Sequence, residues 1–341
     1  MEYCGVWILA EQQHGRVQRI SHELLTRGLE LAAKRGCRLS AVILGRNINT
    51  SDLEELIERG ADEVIAMEAA ELEHFLVEPY AACMLKLIEQ YRPEIIIAGA
   101  TSTGRTLMPY VAAKAHTGLT ADCTGLDIEK ETNNLLQTRP AIGGNIMAVI
   151  KTPKFRPQMS TIRPRSTKPA PRQQGRSGKI VCLGASKEGL NSRIARMGFT
   201  ANEEKQALGE ADIVIVVGRG IKKAENIPLV RGLADSLGAA LGTTRDVVDR
   251  GWLSYPHQVG LSGQTISPKL YIGIGVSGAI QHLAGMQTCE TIVAINNDGD
   301  APIFRVADFG IVGDLFEVVP VLTAHIRQKS EDRRQKSEPQ A

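Results

Sequence analysis

Residues 268–285 read PKLYIGIGVSGAIQHLAG. The apolar run has the pattern of a buried strand and passes into Gly273, Gly275 and Gly278, at G-x-G-x-x-G spacing, before a short helix. Such spacing suits a pyrophosphate: glycines let the backbone come close to a ligand, and a helix beginning near Ser277 offers free N–H groups and a positive dipole end. A tight strand-to-helix turn needs glycine with or without a ligand, so the stretch alone leaves the ligand open. A nicotinamide dinucleotide reader expects an acidic residue about 20 positions on, for the ribose hydroxyls. The next apolar run, TIVAINN at 291–297, ends instead near Asn296, with Asp298 just beyond, so an NAD site is not excluded by this turn. Gln281 and His282 fall in the first turn of the helix, where polar side chains can face a ligand with an extended hydrogen-bonding edge, such as an isoalloxazine ring.

Outward from this turn, the second half alternates KIVCLGA at 179–185, ADIVIVVG at 211–218, a helical LVRGLADSLGAA at 229–240, and a closing helix near 315–327. The first third shows the same rhythm, with Val- and Ile-rich runs at 6–10, 39–44, 63–67 and 95–99 between amphipathic segments, which predicts a parallel sheet covered by helices. In 20–34, Leu24, Leu25, Leu29 and Leu31 fall roughly on one face, and Gly36 and Gly60 supply helix stops. After about Gly118, CTGLDIEK, LLQTRPAI, NIMAVIKT and QMSTIRP read as strands completing that domain. Residues 163–178, RPRSTKPAPRQQGRSG, are almost devoid of apolar side chains and read as an extended linker. The expected organisation is a first α/β domain over 1–163, a linker over 164–178, a second α/β domain over 179–327, and a frayed tail over 328–341.

With 341 residues, two domains are expected. Lys and Arg number 40 against 38 Asp and Glu, a balance that argues against wholesale attraction to nucleic acid or an anionic membrane. Cys4, Cys37, Cys83, Cys123, Cys182 and Cys289 are scattered singly, without the spacing of a zinc or iron–sulfur site, and read as reduced thiols. The opening MEYCGVWILAE has neither a basic n-region nor a cleavage site, and no later run is long enough to span a bilayer, so a soluble cytoplasmic protein is expected.

Residues 270–298, LYIGIGVSGAIQHLAGMQTCETIVAINND, closely resemble the signature of electron-transfer flavoprotein alpha subunits. VVGRGIKKAEN at 216–226, LGTTRDVVDRGW at 241–252, HQVGLSG at 257–263 and APIFRVADFGIVGDLFEVVP at 301–320 look like further motifs of that family in the right order. In the first domain RPAIGGNIMAVI and RPQMSTIRP are also family-like, so the resemblance covers nearly the whole chain. It implies a two-domain α/β chain, each domain a mostly parallel sheet flanked by helices, whose Rossmann-like C-terminal domain binds FAD and whose N-terminal domain packs against a beta subunit.

Carried onto this sequence, the resemblance implies that Arg219 and Thr244 help hold the FAD diphosphate and ribityl region. Ser277, Gly278, Ala279, Ile280, Gln281 and His282 would wrap the cofactor, and Asn296, Asp314 and Leu315 would meet its adenosine end. Arg245 corresponds to an arginine over the flavin ring, and His282 to a histidine at the flavin N1 and O2 edge, both favouring an anionic reduced flavin. A cation about 4 Å from a developing negative charge contributes on the order of 4 kcal/mol at an effective dielectric near 20. At about 2.3 kcal/mol per 100 mV, that raises a one-electron potential by more than roughly 100 mV. Val259, Gly260, Leu261 and Ser262 stand where the family commonly has Val-Gly-Gln-Thr; Ser262 keeps the hydroxyl expected near flavin N5, and Leu261 lacks the amide. Thr244 retains the hydroxyl of a frequent serine.

Taken singly, Arg219, Arg245 and Asp314 read as solvated charges and His282 as a helix-surface histidine; their place in an ordered set reverses that. No residue is assigned a catalytic or metal-binding role, and the chain is read as a redox carrier. The implied donor is a dehydrogenase, typically one acting on acyl-CoA thioesters, and the implied acceptor a quinone oxidoreductase, ferredoxin or flavodoxin. Exchange among them calls for a mobile FAD domain, which a linker at 163–178 permits. An alternative within the family is an NADH-linked bifurcating complex; one outside it is an NAD-dependent dehydrogenase, for which no substrate-facing acid or base is evident.

Overall fold

In the computed structural model, the structure describes residues 3–141, 146–185, 190–198, 208–209, 211–286 and 289–337. Residues 142–145 of the family-like RPAIGGNIMAVI and 338–341 of the expected tail lie outside the described residues. The chain divides into two compact units, Met1–Phe199 and Thr200–Ala341.

In the first unit, seven strands form one wholly parallel sheet in the order Lys179–Gly184, Glu63–Glu68, Leu39–Gly45, Val6–Ala10, Ile95–Gly99, Gln158–Ile162, Leu119–Cys123. Its central strands VWILA, LSAVILG and IIIAG are buried along their whole length, as a sheet covered on both faces requires. The helix Arg19–Arg35 lays Leu24, Leu25 and Leu31 against one face and ends at Gly36, whose φ of 60° places it in the left-handed conformation that closes a helix cheaply. Tyr80, Met84 and Leu87 of Val77–Tyr91, with Leu107, Met108 and Val111 of Ser102–Lys114, fill the other face. The later strands divide: Gly125–Ile128, Leu135–Pro140 and Met147–Ile150 make a separate antiparallel sheet, whereas Gln158–Ile162 returns between two strands of the main sheet.

The expected boundary at 164–178 is corrected. Residues 179–184 pair in parallel with Glu63–Glu68 and belong to the first sheet, not the second domain. The stretch ahead of them is tied down: Ala170 is fully buried and donates its N–H to the His22 carbonyl at 2.9 Å, and the Gln173 N–H donates to Glu58 O at 2.9 Å. Arg172 pairs with Glu58, and Arg176 donates to Ile57 O at 2.9 Å and to Asp62 Oδ1 at 2.7 Å. Its basic side chains, rather than apolar ones, hold this strap to the helix Thr50–Glu58 and the loop after that helix, so it cannot serve as the free tether a mobile domain needs.

In the second unit, five parallel strands lie in the order Ala240–Thr243, Ile213–Val217, Leu270–Ile274, Thr291–Asn296, Phe309–Val312. One face is packed by Ile227, Val230 and Leu233 of the helix Ile227–Leu237 and by Leu315 and Val319 of the last helix. The other is packed by Val259, Ile266, Met286 and Ile303, which come from loops and short turns. The last helix runs from Leu315 to Ser337, past the fraying expected at Gln328, because a run rich in Gln, Lys, Glu and Arg keeps good helix propensity. Among the described residues no helix is long and apolar enough to cross a membrane.

Candidate functional site

A parallel sheet delivers every strand's C-terminal end to one edge, and the crevice there opens where successive connections depart in opposite directions. In the second unit the strand Ile213–Val217 is followed in sequence by Ala240–Thr243 on one side and Leu270–Ile274 on the other, so the reversal lies between Ile213–Val217 and Leu270–Ile274. There the backbones of two loops touch. A Cβ on Gly218 would lie 2.2 Å from the Gly275 carbonyl oxygen, and one on Gly220 2.7 Å from the Gly275 Cα. Gly220 N–H donates to Gly275 O at 3.1 Å, and Gly275 has φ of 61°. Any side chain at these positions would pry the loops apart.

The three glycines of 273–278 divide the work. Gly278, at φ 82°, passes so close to the next loop that a Cβ would sit 2.3 Å from Ile303 N. Gly273 instead makes room for a side chain: its Cβ would lie 2.9 Å from Cε1 and 3.0 Å from Oη of Tyr271. The helix after them is only Ile280–Leu283, beginning later than the expected Ser277. Among the described residues no backbone acceptor meets the N–H groups of Ser277, Gly278 or Ala279. Ser277, Ala279, Ile280 and Gln281 are exposed, whereas His282 is buried.

The loop 257–264 is pinned at the same edge. Val259 N–H donates to Thr243 O at 2.9 Å and Leu261 N–H to Gln281 O at 2.7 Å. Gly260, at φ 146°, abuts Gly285, whose Cβ would fall 2.5 Å from the Gly260 Cα and N. Buried Gln258 donates Nε2–H to Ser262 Oγ at 3.0 Å, which leaves the Ser262 hydroxyl proton free to be donated elsewhere. The Leu261 side chain is exposed.

His282 is held at both ring nitrogens. Nδ1 lies 3.0 Å from the Val259 carbonyl oxygen and Nε2 lies 2.8 Å from Tyr271 Oη. A carbonyl only accepts, so Nδ1 carries the proton, and a neutral ring then accepts the tyrosine hydroxyl at Nε2. Burial pushes the imidazole down to about 4, with the Val259 hydrogen bond a smaller opposing influence. Of the predicted site residues, those that carry a fixed positive charge are therefore Arg219 and Arg245. Both are largely exposed; Arg219 Nε lies 3.6 Å from Asp246 Oδ2 and Arg245 Nε lies 3.2 Å from Asp249 Oδ2. Thr244 is the half-buried residue at the start of the helix Arg245–Asp249, and its hydroxyl does not cap that helix.

At the far side, Asn296 is buried at the end of its strand and donates Nδ2–H to Val276 O at 2.9 Å, bracing the glycine loop. Its Oδ1 accepts Asp298 N–H at 3.0 Å, and Asp298 in turn accepts from Asp300 N–H, so this acid is engaged in its own turn. Asp314 Oδ1 accepts the Phe316 N–H at 2.9 Å at the start of the last helix, while buried Leu315 reaches under Gly275, where a Cβ would lie 3.1 Å from its Cδ2. The predicted residues thus come from the ends of all five strands and the loops after them.

Residues 6–188 match the Electron transfer flavoprotein domain, and residues 207–287 match the Electron transfer flavoprotein FAD-binding domain. Across 96% of its length the chain is 47% identical to the electron transfer flavoprotein subunit alpha of Thermoanaerobacterium thermosaccharolyticum, covering 99% of that protein. The chain belongs to the electron transfer flavoprotein alpha-subunit family. It is 41% identical, over 95% of its length and 77% of the relative, to the LctC subunit of the lactate dehydrogenase (NAD(+),ferredoxin) of Acetobacterium woodii. It is 39% identical, over 96% of both chains, to the acryloyl-CoA reductase electron transfer subunit beta of Anaerotignum propionicum. The cofactor of this electron-transfer flavoprotein chain is FAD, and alpha subunits of the family are electron carriers that pair with a beta subunit.

The edge of the second sheet fits that group in chemical kind: glycine backbone for close approach, N–H groups that meet no acceptor among the described residues and Arg219 for a diphosphate, and Arg245 with a hydroxyl- and amide-bearing loop for a polar ring edge. Sequence reasoning quoted Gly218, Gly220, Gln258 and Tyr271 only inside longer motifs and gave none of them a role of its own. The two glycines lay in plain view in the GRG segment; the roles of Gln258 and Tyr271 need the folded loop and carry no local signal.

Proposed function

We propose that this chain holds one FAD at the C-terminal edge of its second sheet and relays electrons from a partner dehydrogenase to a partner acceptor. The observation that carries the reading is the Gly218–Gly220 contact with Gly275, beside the unpaired N–H groups of Ser277, Gly278 and Ala279. Bound FAD supplies the redox chemistry, taking up and releasing electrons singly or in pairs. The protein supplies position and charge. Arg219, Thr244 and the loop N–H groups neutralise and orient the diphosphate and ribityl region. Asn296 fixes the loop, and Asp314 and Leu315 bound the adenosine end, the second Asp314 oxygen remaining available to a hydroxyl. Ser262 donates its free proton to a ring acceptor. Arg245 supplies the cation that favours negative charge on the ring, while neutral His282, expected from the sequence to favour that charge as well, has both ring nitrogens engaged by Val259 and Tyr271 and acts by holding the loop, not by charge.

The donor is read as a dehydrogenase acting on acyl-CoA thioesters, a reading supported by identity to a chain named for acryloyl-CoA reductase. A quinone oxidoreductase, ferredoxin or flavodoxin is the acceptor. Identity to a chain named for an NAD- and ferredoxin-linked lactate dehydrogenase favours a second reading, an NADH-linked bifurcating complex. Flavin stoichiometry separates the two: one FAD per heterodimer for the simple carrier, two where the beta subunit carries another.

The test is the visible spectrum of the chain co-purified with its beta-type subunit, followed through stepwise reduction, beside the same experiment on Arg245→Ala. A flavin spectrum with a lowered potential in the variant supports the reading. A colourless complex that FAD cannot reconstitute overturns it.

A further inference from the structure

The strand Leu270–Ile274 carries one polar side-chain atom, the Tyr271 hydroxyl, into a hydrophobic cluster. Tyr271 is fully buried among Val214, Val216, Ile266, Met286 and Ile292. Phenylalanine would fill the same space, and a buried hydroxyl is costly unless it is hydrogen-bonded. Its ring lies along the strand beneath Gly273, the residue whose missing Cβ makes that path possible, and its hydroxyl ends 2.8 Å from His282 Nε2. The first glycine of a motif ordinarily read as ligand-facing is therefore spent on seating this tyrosine.

We infer that Tyr271 is a positioning residue of the flavin site: by donating to Nε2 its hydroxyl holds the neutral His282 ring, whose Nδ1 proton is set by the Val259 carbonyl, and thereby holds the loop 259–262 in place. The chain of contacts is continuous. Tyr271 donates to His282 Nε2; His282 Nδ1–H donates to Val259 O; the Leu261 N–H donates back to Gln281 O beside His282. Protonating His282 would place a second N–H against Tyr271 Oη, which must then accept and leave its own O–H unpaired in the core. Burial raises the Tyr271 phenol above its ordinary range, the Cys289 thiol, the other titratable group facing it, adding to the rise, so the phenol remains a donor at neutral pH. The inference rests on the proposed placement of FAD at this edge for its functional half, while the tautomer stands on the chain's own geometry.

The experiment is nitrogen-15 NMR of histidine-labelled chain in complex with its beta-type subunit, with and without FAD, with His282→Gln for assignment and Tyr271→Phe as the variant. Wild type is expected to show an Nδ1-protonated, neutral His282 from pH 8 down to pH 5. Tyr271→Phe is expected to shift the Nε2 resonance of a ring still protonated at Nδ1, as its hydrogen bond is lost, and to weaken FAD retention about tenfold, the scale of one orphaned buried acceptor. A protonated or Nε2-protonated His282 in wild type overturns the inference whether or not the variant folds. So does a folded Tyr271→Phe protein with unchanged ring signals and unchanged FAD retention. Should the complex bind no FAD while showing the expected tautomer, the placement of FAD fails and the Tyr271–His282 lock survives.

Discussion

The two units carry the same device at the carboxyl edge of a parallel sheet and finish it in opposite ways. In the first, connections from Val6–Ala10 and Ile95–Gly99 reverse as they do in the second, yet the edge is closed by its own side chains. Thr101 caps the helix Ser102–Lys114 by accepting Gly104 N–H at 3.1 Å, and its hydroxyl donates to Glu11 Oε1 at 2.7 Å. Burial pushes the Glu11 carboxyl up to about 7, the Thr101 hydrogen bond opposing it. In the second unit the equivalent edge is glycine backbone, unpaired N–H groups and exposed arginines. Topology offers a crevice, and the loops decide whether the protein fills it or a ligand does.

Filling the open edge breaks the comparison most directly. Gly278→Val forces a side chain onto a φ of 82° and against Ile303 N, costing roughly 1–3 kcal/mol for backbone strain and roughly 1–3 kcal/mol for overpacking. FAD titration is expected to register a loss of affinity of about a hundredfold or more, with circular dichroism checking that the sheet persists.

The closed edge has a pH signature the open one lacks. Glu11 is raised in the folded state above its ordinary 4.5, so the native protein binds the proton more tightly than the unfolded chain. Its contribution is fully present below about 4.5 and is lost as pH rises through about 7. Glu11→Gln is expected to remove that loss, gaining up to about 3 kcal/mol of stability at pH 8 and nothing at pH 4, read by denaturant melts at the two pH values.

Arg245 tests charge at the open edge. Arg245→Ala is expected to lower the FAD midpoint potential by on the order of 100 mV, equivalent to about 2.3 kcal/mol, in a spectroelectrochemical titration. Because the side chain is exposed and paired to Asp249, thermal stability should be unchanged within a degree or so. The smallest effect belongs to the strap of the first unit: Arg176→Ala removes its hydrogen bonds to Ile57 O and Asp62, costing about 1 kcal/mol, and should expose 163–178 to limited proteolysis that the wild type resists.

Much of the candidate site gathers at one edge because its determinants are local. GRG at 218–220, TTR at 243–245, the glycines of 273–278 and Asn296 each sit at a strand end, and strand periodicity alone brings such ends to one edge. The reading of 163–178 as a tether failed because composition registers missing apolar residues, not the carboxylates and carbonyls on Thr50–Glu58 and its adjoining loop that anchor the arginines. For the same reason the run at 179–184 looked like the opening strand of the second unit; its partner, Glu63–Glu68, lies far back in the chain.

The sequence by itself determined the α/β class, two folding units, the glycine turns and the family, since these come from periodicity, backbone freedom and ordered motifs. Only tertiary structure decided where the first unit ends, and only it decided the charge of His282. That imidazole is neutral because burial outweighs the opposing Val259 hydrogen bond, and neither the enclosing core nor its partners Val259 and Tyr271 come from residues adjacent to it in sequence.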